Sequence, residues 1–210
     1  LSGIWVDQKS HDIRLEAAMA KVFCSERAHA IVEDTLQLRG GRGYEVETSL
    51  KARGEKPYPL ERMIRDSRIN TIVEGTSEIL SLFIAREALD RHLKIAGDVL
   101  NPKLPMGRRL LAAVRAGAFY SWWYPMQWAG QYLNVASWLE PRHMGYARRT
   151  SHRLARTIFH LMALNGPKLE KRQMQLMRIV DIATDLFAIS ATVGRADALA
   201  ASRTSPHSGE

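Results

Sequence analysis

Residues Thr71–Leu80 read TIVEGTSEIL and place a single carboxylate, Glu74, after two apolar residues and directly before Gly75. Thr76 and Ser77 are natural N-cap residues, and Glu78 suits the first turn of a helix, where the macrodipole favours acid. The bland reading makes Glu74 a dipole charge of the same kind, worth less than about 1 kcal/mol. Three features favour chemistry instead. The apolar Ile72 and Val73 predict a buried approach, so that the carboxylate leaves a dry segment of chain. Gly75 lets another molecule come close to the backbone. The helix start offers unpaired N–H groups and hydroxyls as a cradle for a polar ligand. A lone carboxylate held there, with restricted access to water, is what a general base requires.

A second cluster lies upstream, Gln37-Leu38-Arg39-Gly40-Gly41-Arg42-Gly43-Tyr44. A helix stop explains one glycine, or at most two. Three beside a polar Gln suggest a backbone approached by a large flat group or a phosphate.

The elements that must position these residues read as helices throughout. Apolar residues recur at helical spacing from Asp12 to Leu38, with Leu15, Met19, Val22, Phe23, Ile31 and Leu36 on one side. Residues 45–60 read as a polar connection broken by Gly54, Pro57 and Pro59, and a shorter helix is expected from Leu60 to Val73. The next helix should run from about Thr76 to Ile95 with Ile79, Leu82, Phe83 and Leu89 as its stripe. Asn101-Pro102 and Pro105-Met106-Gly107 mark a boundary. Beyond it, helices are expected over Arg108–Leu139, broken or kinked at Pro125, then Tyr146–Leu164 and Glu170–Ala201. The class is all-α. The expected division is residues 1–100, a second helical unit over 101–201 and a disordered tail over 202–210.

Composition narrows the function. The chain has 210 residues, 46% of them hydrophobic and 25% charged, as an ordinary globular protein does. It has no run of eighteen apolar residues. Its one cysteine, Cys24, excludes an internal disulfide and reads as a small buried residue in a reducing compartment. The net charge of +8 is spread along the chain without a nucleic-acid motif, so no nucleic-acid partner is expected. The seven histidines lack ligand spacing, so no metal site is expected.

Taken together in order and spacing, QLRGGRGY and ERMIRDSRINTIVEGTSEI, flanked by AAMAKVFCSE and LFIARE, resemble the C-terminal flavin-binding domain of the acyl-CoA dehydrogenases over roughly residues 12–95. The stretch KRQMQLMRIVDIATDLFAISATVGRA, within 139–196, looks like the extra C-terminal helical domain of the very-long-chain members.

The resemblance implies that Glu74 is the base that removes the pro-R α-proton of a CoA thioester while a β-hydride passes to FAD, giving a trans-2-enoyl-CoA. By the same carry-over the Glu74 N–H holds the thioester oxygen and Gly75 lines the substrate site. Gln37, Leu38, Arg39, Gly40 and Gly41 contact the adenosine and pyrophosphate of FAD from a neighbouring subunit, and Thr76 and Glu78 also touch FAD. The implied partners are acyl-CoA, an electron-transfer flavoprotein and further copies of the chain. The implied setting is a bacterial cytoplasm or inner-membrane face, or a mitochondrial matrix.

The chain also departs from the pattern. Arg39 and Arg42 stand where uncharged residues are usual, Val73 replaces an aromatic residue, and the insert around Lys51–Lys56 is long. The family's N-terminal helical domain and middle β-domain have no counterpart in these residues. Together with Leu1 in place of Met, that predicts the C-terminal part of an enzyme, incomplete alone. Two other readings remain at this stage: a catalytically silent helical module for oligomerisation or membrane docking, and an acyl-CoA oxidase that passes electrons to oxygen. The aromatic run Phe119–Pro125 with Trp128, Tyr132 and Trp138 reads first as core or oligomer interface. Its sharper reading is a peripheral membrane contact through Trp122–Trp138, backed by Arg142, Arg148, Arg149, Arg153 and Arg156.

Overall fold

The computed structural model describes residues 12–133 and 142–204, and all their regular structure is helical. In chain order the helices are α1 (Arg14–Arg39), α2 (Glu47–Ala52), α3 (Leu60–Ile69), α4 (Ser77–Leu100), α5 (Met106–Tyr132), α6 (Arg142–Asn165) and α7 (Gln173–Thr204). Short 3-10 turns follow α1 at Gly40–Gly43 and α6 at Gly166–Lys171. The chain gathers into two compact units, one over residues 16–81 and one over 82–204 with 12–15. A turn at 101–105 separates α4 from α5, while the division between the units falls inside α4.

The first unit buries Ala18, Met19 and Val22 of α1, Leu50 of α2 and Leu60 of α3. Three expectations fail here for one reason: apolar residues stand on more than one face of each helix. Ile31 is exposed, so only the N-terminal half of the α1 stripe is core. Cys24 is exposed as well, because the buried face runs through Ala18, Met19, Val22 and Ser25. On α4 the buried line is Ser81, Ile84, Ala85, Leu89 and His92, whereas Ile79 and Leu82 are exposed. The supposed connection 45–60 contains α2. Ser49 and Leu50 donate their N–H groups to Val46 O at 3.0 and 3.2 Å, and the fully buried Leu50 draws the segment inward. Ion pairs Arg42–Glu55 and Arg53–Glu45, both at 3.2 Å, stand over it.

In the second unit α6 packs against both α5 and α7. α5 runs without a break through Pro125 and ends at Tyr132. Successive residues on a helix point about 100° apart, and this splits the aromatic run in two. Trp123 is only 9% exposed and packs among His92, Tyr120 and Phe159, while Trp122 is 71% exposed. Trp138 lies outside the described residues. Farther along α5, Gln127 meets His152 Nδ1 at 2.8 Å, and Gln131 accepts a hydrogen bond from Arg156, whose guanidinium stacks on Trp128. α7 buries Leu176, Ile179, Val180, Thr184 and Leu186 and stays helical through Thr204, past the start of the expected tail; residues 205–210 lie outside the described residues.

Candidate active site

α3 ends at Ile69, and the chain then closes a tight loop before α4. Thr71 Oγ1 donates to Arg68 O at 2.8 Å, Ile72 N and Val73 N donate to Ile69 O at 2.9 and 3.0 Å, and Ser77 N donates to Thr71 O at 3.1 Å. The last bond ties the two ends of the loop together and pushes Ile72–Glu74 to its crest. Thr76 caps α4: its Oγ1 accepts Ile79 N at 3.3 Å and its carbonyl accepts Leu80 N at 2.9 Å. Ser77 Oγ is buried without a partner, and Glu78 is exposed in the first turn.

Two adjacent residues on this crest have left-handed backbones, Glu74 with φ 56° and Gly75 with φ 92°. Among the described residues Glu74 is the one non-glycine residue in that region. An L-residue there costs about 1–2 kcal/mol, and strain of this kind collects at functional sites. Gly75 suits its place because its φ would strain any side chain, and an added Cβ, 3.2 Å from the Leu80 side chain, would also push that side chain aside by a few tenths of an ångström.

The expected buried approach is absent. Ile72 and Val73 are 49% and 43% exposed, and Glu74 is exposed with them. A loop closed at its base by Ser77 N and Thr71 O must present its crest outward. Ile72 also lines a groove of about 450 Å³ with His29, Ile64, Arg65, Arg68 and Ile69. His29 Nδ1 stands 3.0 Å from Ser67 Oγ beside it.

Sequence reading overlooked one residue that touches the turn. Lys21, on α1, donates from Nζ to Gly75 O at 2.6 Å, across 54 positions. No short-range spacing connects the two. The one available signal was a basic side chain set among the apolar residues of AAMAKVF.

The glycine cluster follows α1, and the three glycines differ in cause. Gly40 has φ 60° and ends the helix. Gly43 is a packing requirement, because a Cβ there would lie 2.9 Å from Leu36 O. Gly41 has neither need: its φ is not left-handed and a Cβ would meet nothing within 4 Å. Its open face is what an incoming flat or phosphorylated group requires. Gln37 and Leu38, the latter 88% exposed, stand on the same free end. Arg42 is paired with Glu55, whereas Arg39 lies over the Tyr58 ring at 5.1 Å with its Nε buried and unpartnered.

The two motifs do not form one site within the chain. Lys21 touches Gly75, and Gln37 is sixteen residues farther along the same helix, about 24 Å at 1.5 Å per residue.

Residues 4–89 match the family described as acyl-CoA dehydrogenase, C-terminal domain. This segment belongs to that family. The similarity extends past it. The probable acyl-CoA dehydrogenase FadE10 of Mycobacterium tuberculosis is 47% identical over 202 residues, covering 94% of this chain and 31% of the relative. The human mitochondrial very long-chain specific acyl-CoA dehydrogenase is 29% identical over 195 residues, covering 91% of this chain and 28% of the relative. The acyl-CoA dehydrogenase relatives thus align with both compact units, and the chain spans about three-tenths of their length. No solved structure matches.

Proposed function

We propose that the chain is the C-terminal part of an FAD-dependent acyl-CoA dehydrogenase that oxidises long-chain acyl-CoA thioesters to trans-2-enoyl-CoA. The observation that carries this reading is the left-handed Glu74 on an outward crest, followed by a left-handed glycine and set just ahead of α4, which Thr76 caps. A catalytically silent helical module has no use for such a strained carboxylate. The names of the relatives favour a dehydrogenase over an oxidase.

In this mechanism Glu74 takes the α-proton of the thioester, and its own N–H donates to the thioester oxygen, which spreads the charge left on the α-carbon. Gly75 keeps the backbone low enough for the substrate to approach. FAD, when bound, supplies the acceptor for the β-hydride. Thr76 and Glu78 at the start of α4 would face it. The open Gly41 backbone, with Gln37, Leu38, Arg39 and Gly40, fits its adenosine and pyrophosphate end. The separation of the two motifs along α1 supports the reading that this second set serves the FAD of a neighbouring copy, and so a homo-oligomer. Electrons would pass on to an electron-transfer flavoprotein. The bacterial and mitochondrial relatives suit a bacterial cytoplasm or inner-membrane face, or a mitochondrial matrix; no helix among the described residues is long and apolar enough to cross a membrane.

The test is the visible absorption of the purified protein, with and without a long-chain acyl-CoA under anaerobic conditions. A flavin spectrum that bleaches on adding substrate, and does not bleach in Glu74→Gln, is expected wherever the site is complete. Bleaching that survives Glu74→Gln overturns the assignment of the base.

A further inference from the structure

We propose that Lys21 is the positioning residue for Glu74, holding the turn from α1 through the Gly75 carbonyl. The inference rests on the reading of Glu74 as the base.

Two consecutive left-handed residues do not persist unless their surroundings impose them. Most ties on this turn are local: Ser77 N to Thr71 O, Val73 N to Ile69 O and Ile79 N to Thr76 Oγ1 each span six residues or fewer. They close the loop on itself but leave it free to tilt as a body. Lys21 Nζ to Gly75 O, at 2.6 Å, is the tie that comes from a distant element. Gly75 O lies ahead of the first helical carbonyl and accepts no backbone N–H among the described residues, so the ammonium fills a vacant acceptor. Among the described residues Lys21 makes no ion pair that would compete for its charge. A hydrogen bond from a charged donor is shorter and stronger than a neutral one. The Gly75–Thr76 peptide is thereby fixed against α1, and the Cα of Glu74 stands one residue away. In a proton abstraction, displacement of the base by about 1 Å lowers the rate on the order of 10²-fold.

The bland alternative is that Lys21 merely satisfies a carbonyl and adds stability. Catalytically competent, flavin-loaded enzyme containing this chain separates the two, using Lys21→Met, Lys21→Arg and Glu74→Gln. Methionine keeps the length of the stem without a donor, and arginine keeps a donor. Lys21→Met should lower kcat on the order of 10²-fold with KM for acyl-CoA unchanged, and should speed hydrogen exchange at the amides of Gly75, Thr76 and Ser77. Lys21→Arg should recover most of both. An unchanged kcat in Lys21→Met overturns the proposal. So does a loss that Lys21→Arg does not rescue, or one in which kcat follows the melting temperature. Full activity in Glu74→Gln removes the base assignment itself, and the exchange rates then still report whether Lys21 clamps the turn.

Discussion

Glycine at three nearby positions stands in three different settings, and substitution separates them. Gly40→Ala forces a side chain into a left-handed residue and should lower stability by about 1 kcal/mol in denaturant unfolding. Gly43→Ala should cost more, because its Cβ would meet the Leu36 carbonyl at 2.9 Å and backbone must move to relieve it. Gly41→Ala should leave stability within about 0.5 kcal/mol of wild type, as a surface change away from special features does. In flavin-loaded enzyme the same Gly41→Ala should weaken FAD retention, measured by release on dilution. Equal retention with equal stability would mean that nothing approaches this backbone. The motifs themselves were legible in the sequence, since a carboxylate before Gly-Thr-Ser and three glycines after a helix are local patterns, but the packing that sets Gly43 apart was not. The exposure of Ile72 and Val73 was not, because burial depends on what packs over a crest and not on the residues forming it. Lys21 was hidden for a related reason: its partner lies 54 positions away.

At the scale of elements, the long helices were readable, while the short α2 and the buried faces were not. α4 shows why. Apolar residues line two sides of it, and the side that wins contains Ser81 and His92, which no hydrophobic pattern selects. His92 is buried against Tyr120, Trp123 and Phe159, with Nδ1 2.9 Å from the Tyr120 hydroxyl. Burial, with the charge of Arg91 adding to it, holds its imidazole below the ordinary range. Burial also lowers His152, with Arg148 and Arg156 adding to it. Between the folded value and the unfolded value of about 6.5 the unfolded chain binds the extra proton, so stability rises with pH there and falls on acidification. The melting temperature should therefore drop as pH falls from 7.5 towards 5. In His92→Phe, which keeps a ring in the cluster, the drop should be shallower, though not absent while His152 titrates. Parallel curves for the two proteins would mean that His92 does not stay neutral through folding.

Across the whole molecule, charge and apolar surface meet on one helix pair. α5 carries Arg108, Arg109 and Arg115, α6 carries Arg142, Arg148, Arg149, Arg153 and Arg156, and neither helix contains an acidic residue. Arg156, 6% exposed, is set on Trp128 and Gln131, and among the described residues its Nε and one terminal nitrogen find no hydrogen-bond partner. Along α5, Leu110, Val114, Ala118, Trp122 and Met126 recur every fourth residue on the exposed surface, with Leu133 beyond them, a stripe about 34 Å long at 1.5 Å per residue. An exposed apolar stripe on an arginine-rich helix pair suits an anionic lipid surface better than bulk water. The aromatic run thus serves two purposes: Trp123 faces the core and Trp122 faces outward. Sedimentation with vesicles tests the outward half. Wild-type protein should pellet with anionic vesicles and not with neutral ones, and should be released as salt rises and screens the arginines. Trp122→Ala with Met126→Ala should reduce pelleting at unchanged melting temperature, since both side chains are exposed, whereas Trp123→Ala should act through unfolding. Absent pelleting, or pelleting equal in wild type and the exposed-face variant, would assign the stripe to a protein contact and leave the arginines without a lipid role.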